Sequence, residues 1–109
     1  QHVRDWVRRD LEALQEGGIH AVMFCNENDR PYQLDADAAS IAAMGDVVAS
    51  VRNELSVPFG VDVLWDPRAT LAVAAATGAA FCREIFTGAF AGDFGHWVRC
   101  AGDSFRYRR

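Results

Sequence analysis

Val57-Pro58-Phe59-Gly60-Val61-Asp62-Val63-Leu64-Trp65-Asp66-Pro67 is the stretch on which the fold of this chain turns. From Val57 to Trp65 it is short, almost continuously apolar and rich in β-branched residues, the pattern of a strand buried on both faces in a parallel sheet. Asp66-Pro67 then predicts a helix start. Asp accepts from the free amides of a first turn, and Pro at the first helical position gives up no needed donor. An alanine-rich helix follows to Thr77 and stops at Gly78, and a second strand is read over residues 80–87. The unit is βαβ, and in parallel sheets chemistry gathers beyond the carboxyl ends of the strands. That rule singles out Asp62, Asp66, Arg83, Glu84 and Thr87 with Gly88.

Upstream, the pattern repeats. Val3, Val7, Leu11 and Leu14 lie on one helical face, with Trp6 beside them, and Gly17-Gly18 ends that helix. Residues 19–25 read as its strand, running out into Asn26-Glu27-Asn28-Asp29. Asp37 is placed to cap a second helix that buries Ile41, Met44, Val48, Val51 and Leu55 at spacings of three or four. Downstream of Thr87, residues 88–97 are glycine-rich and aromatic and read as a long loop on the face where function would sit.

An open doubly wound sheet and a (β/α) barrel share these local signals. Val22, Phe24, Val61 and Val63 are suited to pack beneath helices. The alternate positions carry Met23, Cys25 and Glu27, then Gly60, Asp62 and Leu64, then Arg83, Ile85 and Thr87. Small and polar residues on one face only are hard to place in a sheet covered on both sides, and they suit a barrel interior near its mouth. The fold class read from the sequence is therefore α/β, a parallel (β/α) TIM-barrel type, present as a partial barrel of about three strands with their helices.

At 109 residues and 50% hydrophobic content, residues 1–109 fit a single domain with a core. The net charge of −4 argues against a nucleic-acid partner, although Arg99, Arg106, Arg108 and Arg109 make the carboxyl end locally basic and read as a solvated helix start. No apolar run is long enough to span a membrane and no secretory leader is recognised, so a cytoplasmic protein without integral membrane contact is expected. Cys25, Cys82 and Cys100 cannot all pair within the chain and read as reduced, small apolar fillers.

Asp62 and Arg83 should both point inward from neighbouring strands, as a structural ion pair or as a ligand anchor; the planar fork of Arg suits phosphate or carboxylate. Glu27 is either a general acid or base or a solvated loop acid. Asp66 reads first as a cap. Asn26, Glu84 and the Thr87-Gly88 turn are further ligand-binding candidates, and Glu27, Asp62 and Arg83 are the catalytic ones. His2, His20 and His96 are scattered, without metal-ligand spacing, and no glycine-rich phosphate loop occurs, so neither metal nor cofactor is expected.

Asn26-Glu27, Arg30-Pro31-Tyr32, the run from Pro58 to Pro67, Ala76-Thr77-Gly78-Ala79, the run from Arg83 to Ala89, and Asp93-Phe94-Gly95 together resemble the BtpA family, most closely its SgcQ-like branch. The resemblance covers nearly the whole chain. It implies a TIM-barrel fold like that of ribulose-phosphate-binding barrels, with this chain holding the second to fourth strands of a barrel of roughly 250 residues. It also implies a small anionic ligand, a sugar phosphate or similar, at the barrel mouth. The alternative is a non-catalytic assembly or stability role of the kind the family's photosystem I connection implies. Cys25, Asp62 and Ile85 depart from the family's usual residues. Missing neighbour strands would leave open edges, so the isolated 109-residue chain is expected to form homo-oligomers.

Overall fold

The computed structural model describes residues 2–108. Its elements run α1 (His2–Glu16), β1 (Val22–Cys25), α2 (Ala38–Val51) with a 3-10 turn at Arg52–Glu54, β2 (Phe59–Asp62), α3 (Pro67–Thr77), β3 (Phe81–Cys82), β4 (Gly88–Gly92), β5 (Gly95–Arg99) and α4 (Ala101–Arg108). β1, β2 and β3 form one parallel sheet in chain order, as the sequence predicts.

The helix ends follow the capping residues. Asp37 Oδ1 accepts the Ser40 N–H at 2.7 Å ahead of α2. Asp66 Oδ1 accepts the Ala69 N–H at 3.0 Å ahead of α3, with Pro67 in the first turn. Gly78 closes α3 at φ 75°, a left-handed conformation that costs glycine nothing.

Register assigns the two faces of the sheet. Phe24 lies beside Val61 and Cys25 beside Asp62, while Gly60 lies beside Phe81 and Val61 beside Cys82. Because side chains alternate along a strand, Val22, Phe24, Val61 and Cys82 share one face. Met23, Cys25, Gly60, Asp62 and Phe81 share the other. The helices pack on the first face. Val48 and Val73 meet Val61 and Val63 there, and Leu11 and Val51 meet Val22. Each fully buried valine contributes about 1.5–3 kcal/mol. On the second face Phe81 stays 41% exposed. Its ring covers Gly60 so closely that a Cβ there would lie 2.3 Å from it.

Three sequence expectations are corrected. The strand expected over residues 80–87 pairs only at Phe81–Cys82. The Arg83 N–H still reaches the Val61 carbonyl at 3.3 Å, and Glu84 then turns its own carboxylate back onto the Ile85 N–H at 2.8 Å, which ends the ladder. The segment expected as a long loop is a β-hairpin, with β4 and β5 antiparallel and Phe90 opposite Trp97. Its glycines, which argue for a loop when counted, supply the positive φ that the tight turn needs at Gly95. The basic carboxyl end also differs from its reading as a helix start. Arg99 ends β5, while Arg106 and Arg108 lie in the last turn of α4, where cations complement the carbonyl end. Arg109 lies outside the described residues. No helix among the described residues is long and apolar enough to cross a membrane.

Candidate functional site

The carboxyl ends of β1, β2 and β3 bring Cys25, Asp62 and Arg83 into one row on the helix-free side of the sheet. Cys25 and Asp62 are register partners, and Arg83 follows the last paired residue of β3. Arg83 Nη2 donates to Asp62 Oδ2 at 3.2 Å. The pair is asymmetric, with the Asp62 side chain 3% exposed and that of Arg83 65% exposed. A buried carboxylate without a partner costs several kcal/mol, so Asp62 needs the guanidinium. The guanidinium, with five N–H donors, keeps most of them for solvent or a ligand.

Glu84 is the third member. Its carboxyl is half-buried and close enough to that of Asp62 to be influenced by it. Burial, reinforced by Asp62, pushes it up to about 8, against the opposing pull of the Ile85 and Trp65 amides. Oε1 accepts the Ile85 N–H. Asp62 Oδ1 and Glu84 Oε2 are buried and have no hydrogen-bond partner among the described residues. Burial, then Asp62, also pushes the Cys25 thiol above its usual range. That makes it a poor nucleophile, because the thiolate is the reactive form.

The other sequence candidates divide by position. Asn26 Oδ1 accepts the Leu64 N–H at 2.7 Å and so ties the end of β1 to the end of β2. Glu27 is exposed just past β1, close enough for its charge to act on Cys25. Asp66 is buried and gives one oxygen to the Ala69 N–H and the other to the Ala36 N–H at 2.7 Å. Thr87 is exposed, and Gly88 pairs with Arg99 where the chain enters the hairpin. Neither makes a side-chain hydrogen bond to the Asp62 cluster among the described residues.

The hairpin forms a rim that the sequence reading did not find. Trp65, at φ 71°, sits just beyond β2, with its ring edge-on to those of Phe94 and Trp97. Phe90 stacks on Trp97 at 5.5 Å. A bulky residue in the left-handed region persists only where its surroundings fix it, and this aromatic cluster does so. Arg99 Nη2 donates to the Trp65 carbonyl at 2.7 Å and to the Leu34 carbonyl at 3.0 Å. The alternation of Phe90 with Trp97 about a two-residue connection was the legible signal for this rim. Beyond β1, Asn26, Arg30, Tyr32, Asp37 and Ser40 line a cleft of ≈ 160 Å³. That is below the roughly 300 Å³ at which small-molecule sites begin, so the cleft is no more than an annex. No group of three His, Cys, Asp or Glu able to hold a metal ion occurs among the described residues.

Comparison with known proteins places these features in context. The family model of the BtpA family matches residues 1–109. The sgc region protein SgcQ of Escherichia coli is 48% identical over 99 residues, which make up 91% of this chain and 37% of that protein. An uncharacterised protein of Thermococcus kodakarensis is 40% identical over 76 residues, 69% of this chain and 29% of its own length. One from Pyrococcus furiosus is 28% identical over 111 residues, covering 100% of this chain and 42% of its own length. The chain thus spans well under half the length of these relatives. No solved structure matches it.

Proposed function

This chain belongs to the BtpA family, and on that premise we propose that it forms part of a parallel (β/α) barrel whose mouth takes a small anionic ligand, a sugar phosphate or a molecule like it. One observation carries the reading. Arg83 stands at the carboxyl end of a parallel sheet with its guanidinium largely exposed, while the carboxylate that orients it is buried. A purely structural pair would have both partners covered. The packing of α1, α2 and α3 against a single face supports the barrel over a doubly wound sheet, which carries helices on both.

In this reading Arg83 is the anchor. Asp62 fixes its position, and Glu27, on the exposed lip, is placed for acid–base work on a bound ligand. The rings of Trp65 and Phe94 offer apolar faces to a sugar. Asn26 and Asp66 shape the rim through the backbone amides that they bind.

The test is thermal unfolding of the full-length protein with a panel of pentose and hexose phosphates and with inorganic phosphate. A true ligand at about a hundred times its dissociation constant stabilises the fold by roughly 2.7 kcal/mol. Arg83→Ala should remove that gain and should also cost the free protein about 3–5 kcal/mol, because it leaves the buried Asp62 carboxylate without its partner. A panel without a stabilising anion, or an unchanged gain in Arg83→Ala, rules the reading out.

A further inference from the structure

An ionised carboxylate has two accepting oxygens, and burial removes the water that would otherwise serve them. Asp62, at the end of β2, is almost completely buried, and only one of its oxygens is met. Oδ2 accepts from Arg83 at 3.2 Å. Oδ1 is buried and has no hydrogen-bond partner among the described residues. A buried charged acceptor without a donor is costly and rare. The main chain just beyond it is already committed elsewhere. The Val63 N–H goes to the Thr70 hydroxyl and the Leu64 N–H to Asn26 Oδ1. Cys25, the register partner of Asp62, carries only a weak thiol donor, and it makes no bond to Oδ1.

We propose that Asp62 Oδ1 is a ligand contact: it accepts a hydrogen bond from a hydroxyl that the ligand carries next to its anionic group. The inference rests on the anion site proposed above and adds a second point of recognition to it. One carboxylate both orients Arg83 and holds the orphaned oxygen, so an anion on the guanidinium brings its neighbouring substituents to Asp62. A hydroxyl suits Oδ1 and an ammonium does not. The charge of Asp62 is already met by Arg83, and taking a second cation out of water there costs far more than taking a hydroxyl. A bare anion such as sulfate has no hydrogen to donate and leaves Oδ1 as it is.

Access follows from the asymmetry of the ion pair. Oδ1 is closed to solvent in the ligand-free molecule, so a side chain beside it has to yield. Arg83 is free to do so, with its side chain 65% exposed and held among the described residues by one hydrogen bond. A turn of the guanidinium toward an incoming anion opens the way to Oδ1. The carboxylate itself stays in place, because Thr70 and Asn26 fix the main chain of residues 63 and 64 just beyond it. A fixed acceptor behind a movable cation selects a hydroxylated anion over the same anion without its hydroxyl.

The test is a matched series of organic phosphates titrated calorimetrically into the full-length protein. Ethyl phosphate, 2-hydroxyethyl phosphate and 2-aminoethyl phosphate share the anionic group and differ in a single substituent. The hydroxyethyl ester should bind about tenfold or more tightly than the ethyl ester, the effect of one hydrogen bond to a buried charged acceptor. In Asp62→Ala the two should bind alike, whatever the change does to the affinity for the anion itself. The comparison of esters on the wild type stands without the variant, should the variant fail to fold. Equal affinities for the ethyl and hydroxyethyl esters in the wild type overturn the inference, leaving Oδ1 to water and the anion site intact. Tighter binding of the aminoethyl ester overturns the choice of a hydroxyl. A hydroxyl preference that survives in Asp62→Ala overturns the assignment to Asp62. If none of the three esters binds, and no sugar phosphate either, the anion site falls and this inference falls with it.

Discussion

Asp66 decides between two readings of the same residue, a ligand contact at a strand end and a structural cap, and its replacement separates them. Both of its oxygens are occupied, Oδ1 by the Ala69 N–H at 3.0 Å and Oδ2 by the Ala36 N–H at 2.7 Å. Losing an N-cap costs about 0.5–2 kcal/mol. Losing a hydrogen bond from a backbone amide to a charged group costs about 1.5–3 kcal/mol. Asp66→Ala should therefore destabilise the protein by about 2–5 kcal/mol. Asp66→Asn keeps one acceptor oxygen and should lose roughly half as much. The Thr70 hydroxyl bonds the main-chain carbonyl of Asp66 and survives both changes. The assay is urea unfolding of the full-length protein, read as a shift in midpoint at constant m-value, alongside the sugar-phosphate thermal shift. A cost below about 0.5 kcal/mol for Asp66→Ala, with loss of the ligand response, would refute the cap assignment and return Asp66 to the binding site.

Two further substitutions probe what holds the site. Gly60→Ala forces the Phe81 ring off the sheet, since the new Cβ would sit 2.3 Å from it; the cost should be about 1–2 kcal/mol. In a Phe81→Ala background the same change should be nearly neutral, and additive effects in that double-mutant cycle would contradict the packing described. Thr70→Val removes a fully buried hydroxyl that accepts the Val63 N–H at 2.9 Å and donates to the Asp66 carbonyl at 2.9 Å. It should cost about 1–3 kcal/mol and speed amide exchange at Val63, with Thr70→Ser recovering most of the loss. Equal stabilities of the three proteins would show that the hydroxyl is not holding the end of β2.

The parts of the fold legible in the sequence are those where a single residue type has one local task. Asp37, Asp66-Pro67 and Gly78 mark helix ends through bonds made within four residues, and they sit where the sequence places them. The alternation that sets Val61 against Asp62 also survives, because a one-residue slip would bury the aspartate under helices. Glu84 shows where this logic stops. By alternation it belongs with the helix-facing residues of β3, but the ladder ends before it and its carboxylate turns back onto the Ile85 N–H. The carboxylate that acts on it there, that of Asp62, comes from more than twenty residues away, which no window along the chain contains. The hairpin was hidden for a different reason: glycine frequency is read as disorder of the path, whereas a glycine at φ 86° serves a tight turn.

Arg99 reaches back across the sequence to the carbonyls of Leu34 and Trp65, and this ties the fate of three distant segments to one side chain. When the β4–β5 hairpin lifts, both carbonyls lose their donor at once, so the Leu34 loop, the Trp65 turn and the hairpin should open as one cooperative unit. Hydrogen exchange would then report a shared opening free energy for amides in all three, distinct from that of the sheet beneath. Cutting the tie with Arg99→Ala should split that single value into three. A rim built this way should open as a whole rather than loop by loop.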